Sequence, residues 1–229
     1  MSKGMVTGNP YGPWMAHNLV VFDVETTGLD SVNDRIVEVG LARFENGLLV
    51  KRWGSIVYPE MSIPDEASAI HGITNLDVAT APLFIETISR ILSISQNAQP
   101  VAYNASFDRG FWFNALKRLP LTELEGVPLF NPEVRWLDPL VFVRHFDGLW
   151  GDGNKLTTAT GRYSVNLESA HRATDDAVAA GRLLYALAEY RKIPPWTMTE
   201  ILRRQQPLAD KHEKEYQGWF NEKGIQRRK

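Results

Sequence analysis

Cysteine is absent from the 229-residue chain. That excludes disulfide frameworks, zinc–thiolate centres and cysteine nucleophiles together, and it suits a reducing cytoplasm, the compartment expected here. An excess of charge of either sign is missing too. The 25 Lys and Arg stand against 27 Asp and Glu, a formal net charge of −2 with pI near 6.2. No global basic field therefore advertises nucleic acid. The balance is no veto, because acids gathered around bound cations lower the formal charge while the cations restore it locally. No apolar run approaches the ~20 residues that span a bilayer, so no membrane partner is expected. Residues 1–16 carry Gly, Pro and one Lys without an apolar core, which reads as a flexible arm rather than a signal peptide. Internal repeats and low-complexity tracts are lacking. What remains is 44% hydrophobic and 23% charged, an ordinary globular composition in a chain long enough for one full core.

The chain is organised around Leu19-Val20-Val21-Phe22-Asp23-Val24-Glu25-Thr26-Thr27-Gly28. Its apolar, β-branched start predicts a buried strand. Residues two apart share a strand face, so Asp23 and Glu25 project together from the strand's end. Like charges held that close raise each other's pKa, and a hard cation between them, Mg²⁺ or Mn²⁺, relieves the repulsion. Two unrelated acids at a solvated strand end give the same local pattern, so the meaning of the pair depends on what joins it.

Ile36 to Phe44 predicts a second strand, Asn46-Gly47 a hairpin turn, and Leu48 to Tyr58 a third strand stopped by Pro59. Short links make these an antiparallel meander. A short helix follows from Pro64 and ends at His71-Gly72, and Thr74 opens a brief turn. Pro82 to about Leu92 is amphipathic at helical spacing. Pro100 to Tyr103 predicts a short buried strand and Ala105 to Leu119 a helix. Arg135 to Asp138 predicts a fifth strand, followed by a helix to about Phe146. Residues 148–154, with three Gly and an Asn, predict a loop. Lys155 to Tyr163 and Thr174 to Tyr190 predict two more helices. Beyond Pro194-Pro195, Thr197 and Glu200 have capping-box spacing, and Pro207 is placed to begin another helix with Leu208, Tyr216, Trp219 and Phe220 on one face. The expected organisation is an arm (1–16), a main domain (17–192) and a helical extension (193–229) ending in the basic Arg227-Arg228-Lys229.

Three further groups sit where loops enter helices. Asp108 follows Asn104-Ala105-Ser106-Phe107. His171 precedes Arg172-Ala173-Thr174-Asp175-Asp176. Each alone has a local reading, since first-turn acids complement the helix dipole and a loop histidine is commonly structural. Asp-x-Glu, then Asn-x₃-Asp, then His-x₄-Asp, in this order, resembles the DEDDh family of 3′→5′ exonucleases, the DnaQ-like group that includes the proofreading epsilon subunit of bacterial replicative polymerase. The supporting segments are Phe22 to Gly28, Ile70-His71-Gly72-Ile73-Thr74 and Tyr103 to Asp108, and the resemblance covers roughly residues 17–192. Tyr103 stands where relatives commonly carry a histidine.

The resemblance implies an α/β, ribonuclease H-like fold: a five-stranded mixed sheet flanked by helices, here with a C-terminal helical appendage. It implies that Asp23, Glu25, Asp108 and Asp176 hold two Mg²⁺ ions, with Mn²⁺ able to substitute, and that His171 is the general base, a role an imidazole suits. In an unbroken helix His171 aligns better with Asp175 than with Asp176. Family spacing selects Asp176, and the conflict vanishes if His171 lies in the preceding loop. Thr26, Thr27, Gly28, His71 and Asn104 are the implied contacts to the terminal nucleotide, with helix capping the alternative for His71. The expected activity is hydrolysis of single-stranded DNA from a free 3′ end, releasing nucleoside 5′-monophosphates, with a polymerase or repair assembly as a possible partner. The rivals are the same chemistry on RNA and a non-catalytic nucleic-acid-end binder or polymerase accessory.

Overall fold

The computed structural model describes residues 13–120, 126–190 and 193–223, with side chains as far as 216. Strand β1 (Leu19–Thr26) pairs antiparallel with β2 (Ile36–Glu45), and β2 antiparallel with β3 (Leu48–Ile56). The Asn46-Gly47 turn between β2 and β3 has φ of 50° and 81°, the left-handed pair that a two-residue hairpin needs. Strand β4 (Gln99–Val101) lies parallel to β1, giving the sheet order β3-β2-β1-β4.

The alternation of β1 sorts the core. Val20, Phe22 and Val24 face a layer built from α3 (Phe84–Ser95) and α4 (Ala105–Lys117), where Ile88, Ile91, Phe111 and Trp112 are buried. Leu19 and Val21 face α7 (Ala173–Tyr190), with Ala177, Ala180, Leu183 and Leu184. By the same period Asp23 and Glu25 lie on the α7 side. Between β3 and α3 come α1 (Asp65–His71), closed by Gly72 at φ 74°, and α2 (Asn75–Val78), opened by a Thr74/Asp77 capping box. Helices α5 (Pro139–Asp147) and α6 (Leu156–Arg162) follow β4 and α4. Among the described residues no helix is long and apolar enough to cross a membrane.

Three expectations need correction. The sheet has four strands among the described residues, not five. Where the fifth was expected, Leu137 alone bridges Val101, donating to the Pro100 carbonyl at 3.0 Å and accepting from Ala102 N–H at 3.1 Å. Pro100 has no N–H to continue the ladder, and the Arg135 carbonyl accepts instead from the Gln99 side chain at 2.6 Å. At the other end Asp138 caps α5, accepting from Leu140 N–H at 2.9 Å. Second, Pro207 does not begin a helix. It lies inside α8 (Met198–Lys223), and it is exposed, as is Arg203, whose carbonyl loses its helical donor. The Thr197/Glu200 capping box does open α8, with both Thr197 N–H and its hydroxyl on Glu200 at 2.9–3.0 Å. Third, the end of the expected arm is not free. Pro13 bridges Thr197, Trp14 N–H donates to the Trp196 carbonyl at 2.7 Å, and the fully buried Trp14 ring stacks on Tyr185. Residues 1–12, the side chains of Trp219 and Phe220, and Arg227 to Lys229 lie outside the described residues.

Candidate active site

The carboxylates arrive from three elements. Asp23 and Glu25 come from the end of β1. Asp108 comes from the first turn of α4, is 2% exposed, and accepts the Val24 N–H at 3.1 Å, which ties α4 to β1 between the two β1 acids. Asp176 comes from the first turn of α7 and is 8% exposed. His171 is at φ 63°, in the loop before α7, and its backbone N–H donates to Asp176 Oδ2 at 2.9 Å. The left-handed residue resolves the spacing conflict. Asp176 turns into the site, while Asp175 points to β3, where its carboxylate lies 3.5 Å from Arg52. Ligand-capable atoms of Glu25, His171 and Asp176 all lie within 4.8 Å of one another. All five groups line one cleft of about 460 Å³, whose walls also carry Arg144 and Lys155.

The electrostatics are those of crowded acids. Burial pushes the Glu25 carboxyl up to about 8, with Asp176 and Glu38 adding to it and Arg172 opposing. Burial likewise raises Asp176 to about 6, against the hydrogen bond from His171. Asp23 and Asp108 are raised too, first by burial. For Asp23 the neighbouring charges of Asp108, Asp176 and Glu25 follow, and for Asp108 the Val24 N–H works the other way. An all-oxygen set this frustrated fits hard divalent cations, which replace the bound protons. Each raised acid favours the folded state while protonated and loses that advantage as pH climbs from its unfolded value through its folded one. The melting temperature of chelator-treated protein is therefore expected to fall by about 5 °C or more between pH 5 and pH 8, where the folded Glu25 carboxyl reaches the midpoint of its titration. Mn²⁺ should restore it at pH 8, and Glu25→Gln should flatten the slope. Melts that track pH identically with chelator and with Mn²⁺ would contradict this account.

The remaining residues named from the sequence divide by what holds them. Thr26 Oγ1 donates to the Gly28 carbonyl at 2.6 Å. Thr27, 1% exposed, donates to Asp34 Oδ1 and accepts from Arg35 N–H, both at 3.0 Å, so its hydroxyl closes the loop that follows β1. At Gly28 a Cβ would overlap the Asp34 carboxylate, so a side chain there would displace the group that holds Thr27. His71 is 5% exposed and its Nδ1 accepts the Ile73 N–H at 3.1 Å. Burial lowers its pKa. The Thr26 backbone works the other way but closes no hydrogen bond on the buried Nε2. Asn104 is an exposed left-handed residue (φ 70°, ψ 50°) preceding α4, at the cleft wall.

Two supporting acids escaped the sequence reading. Glu38, 3% exposed and opposite Glu25 across the β1–β2 ladder, binds the Arg172 guanidinium at 3.0–3.3 Å and the Ala173 N–H at 3.2 Å, fixing the loop that carries His171. Its signal was an acid at an inward position of an apolar strand. Asp138 accepts Asn104 N–H and Ala105 N–H at 3.0 and 2.9 Å, and burial lifts its carboxyl to about 6 against those bonds. Pro139 after it marked a helix start, but nothing local pointed to α4.

Comparison with known proteins bears on family and fold. The family model described as "Exonuclease" (RNase T) matches residues 20–184. The chain is 34% identical over 172 residues to a PolC-type DNA polymerase III of Caldanaerobacter subterraneus, covering 74% of this chain and 11% of that protein. It is 32% identical over 156 residues to the DNA polymerase III epsilon subunit of Treponema pallidum, covering 68% of this chain and 69% of that one. The chain thus spans about a tenth of the PolC-type relatives it matches. Among solved structures, exonuclease X in complex with 5′ overhanging duplex DNA superposes with a TM-score of 0.60 at 24% identity, over 80% of this chain and 99% of that one. The nuclease domain of 3′hExo, a DEDDh family member bound to rAMP, gives 0.60 at 16%, over 78% and 94%. At those identities the structures establish a common fold. With the family match over most of the chain and the epsilon-subunit relative, this chain belongs to the RNase T exonuclease family, among its DnaQ-like members.

Proposed function

We propose that the protein hydrolyses single-stranded DNA from the 3′ end, one nucleotide at a time, releasing nucleoside 5′-monophosphates. The observation that carries this reading is the convergence of Glu25, His171 and Asp176 within 4.8 Å, in a cleft that also holds Asp23 and Asp108. The naming of the matched relatives as DNA polymerase III proteins favours DNA over RNA and a polymerase as partner.

The four carboxylates would hold two Mg²⁺ ions, for which Mn²⁺ can substitute. When bound, the ions supply water activation and neutralisation of charge on the phosphate. The chain's own groups do the rest. His171, on the solvent side of Asp176, takes the proton of the attacking water at its imidazole nitrogen. Its backbone bond to Asp176 keeps the ring beside that carboxylate. Arg144 and Lys155 on the cleft wall bind the phosphates of the strand. The loop of Thr26, Thr27 and Gly28 borders the terminal nucleotide, with Thr27 itself held by its N–H on the Arg35 carbonyl at 2.8 Å, and His71 and Asn104 complete the pocket. Phosphate contacts carry no base identity, so sequence preference is low.

Purified protein with Mg²⁺ or Mn²⁺ is given matched DNA and RNA oligonucleotides labelled at the 5′ end, with free or blocked 3′ ends. A ladder from free 3′ DNA ends is the expected result. Faster loss of RNA would replace DNA with RNA as substrate. No loss with either sugar or either metal would leave the end-binding alternative.

A further inference from the structure

The segment between β4 and α5 forms an edge. On its inner side Leu137 exchanges both backbone hydrogen bonds with the β4 chain. On its outer side the Trp136 carbonyl and the Asp138 N–H project away from the sheet, the unpaired row that an edge strand presents. One side chain takes both. Gln205 of α8 accepts from Asp138 N–H at 2.7 Å through Oε1 and donates to the Trp136 carbonyl at 3.0 Å through Nε2. A primary amide offers a donor and an acceptor in one plane, so it reproduces the bond pair of a neighbouring strand.

From Asp138 the connection reaches the acids. Its carboxylate holds the N–H groups of Asn104 and Ala105. Asn104 is left-handed, a conformation that asparagine tolerates but that its surroundings must hold in place here. That turn sets where α4 begins, and hence where Asp108 meets the Val24 N–H. Gln205 is itself firmly held. Ile201 and Met198 of α8 are buried in the α7-side core, and Tyr216 stacks on Trp150, with ring centroids 5.7 Å apart, in the loop that lines the cleft through Gly151 and Asn154.

We propose that Gln205 is a positioning residue for the exonuclease site. By gripping the backbone at Trp136 and Asp138 it fixes the Asp138 carboxylate beneath the Asn104–Ala105 turn, and through that turn it fixes Asp108. The residue lies beyond the 20–184 stretch matched by the family, so this chain supplies the support from its own extension. The proposal rests on the exonuclease reading of the site.

Gln205→Met keeps length and packing and loses both hydrogen bonds. Gln205→Glu keeps the acceptor facing Asp138. Steady-state kinetics are run well below both melting temperatures, and amide exchange at Asn104 and Ala105 is followed by NMR in metal-free protein. Gln205→Met is expected to lower kcat about tenfold with KM within about twofold, and to speed exchange at the two amides about tenfold. Gln205→Glu should lose less on both measures. Wild-type kcat and exchange in Gln205→Met, or a loss of kcat no larger than its unfolded fraction with exchange unchanged, would overturn the proposal. If the wild type hydrolyses nothing, the functional reading fails, while the amide exchange still decides whether Gln205 holds the turn.

Discussion

Asp176→Ala is expected to lower hydrolysis about a thousandfold or more, while Asp175→Ala stays within about threefold of wild type. The two acids are neighbours in sequence and both lie in the first turn of α7, so helix-dipole arguments treat them alike. Their surroundings do not. Asp176 is buried at the cleft, accepts the His171 N–H, and contributes to raising Asp23. Asp175 faces β3 and pairs with the half-exposed Arg52, an ion pair worth little to stability. Both variants should melt near wild type when metal-free. Removing Asp176 deletes like-charge repulsion, so its melting temperature at pH 8 should if anything rise. Loss of activity in Asp175→Ala with retention in Asp176→Ala would reject the assignment of the site.

Gly40→Ala is expected to be nearly as damaging without touching a charge. Gly40 stands opposite Asp23 on one side and Gly54 on the other. A Cβ there would overlap the Ala173 carbonyl and the Thr174 nitrogen, and one at Gly54 would overlap the Thr174 hydroxyl. The Gly40 obstruction is backbone, which cannot swing aside as a side chain does. The start of α7 would have to lift off the sheet and carry Asp176 away from Asp23. A destabilisation of about 3 kcal/mol or more is expected, with activity lost even in the fraction that stays folded. Gly161→Ala in α6, where a Cβ meets nothing within 4 Å, is the control and should be neutral or slightly stabilising. Denaturant melts and assays on both variants test the pair. A Gly40→Ala protein as stable and active as wild type would mean that the helix does not need this approach.

That Asp23, Glu25, Asp108 and Asp176 converge on one cleft was legible because strand alternation and family order place them together. Asp23 and Glu25 share a face by period alone, and the α7-side core extends that face through Leu19 and Val21. His171 was legible as a residue but not in conformation. Its positive φ, which aims Asp176 rather than Asp175 at the cleft, has no local sequence signal beyond family spacing. The fifth strand was overcalled because Arg135-Trp136-Leu137-Asp138 has strand composition. Pro100 on the neighbouring chain removes the donor that would extend it, and pairing partners are invisible to a local pattern. Glu38, Asp138, Gly40 and Gln205 share one difficulty: each acts across a long sequence separation on a group that identifies itself, while looking ordinary at home. Pro207 has the first-turn preference of a helix start, yet it sits inside α8 because an exposed helix tolerates the missing bond to Arg203.

The two facing glycines also bear on how the molecule assembles. A β-hairpin with no side chains at its midpoint gains little from cross-strand contacts there and pairs weakly by itself. What fills that gap, the start of α7, is made about half a chain later. The meander must therefore wait, loosely formed, for a distant helix to seal it, and folding should be slow and all-or-none, with the four cleft acids brought together only at its last step.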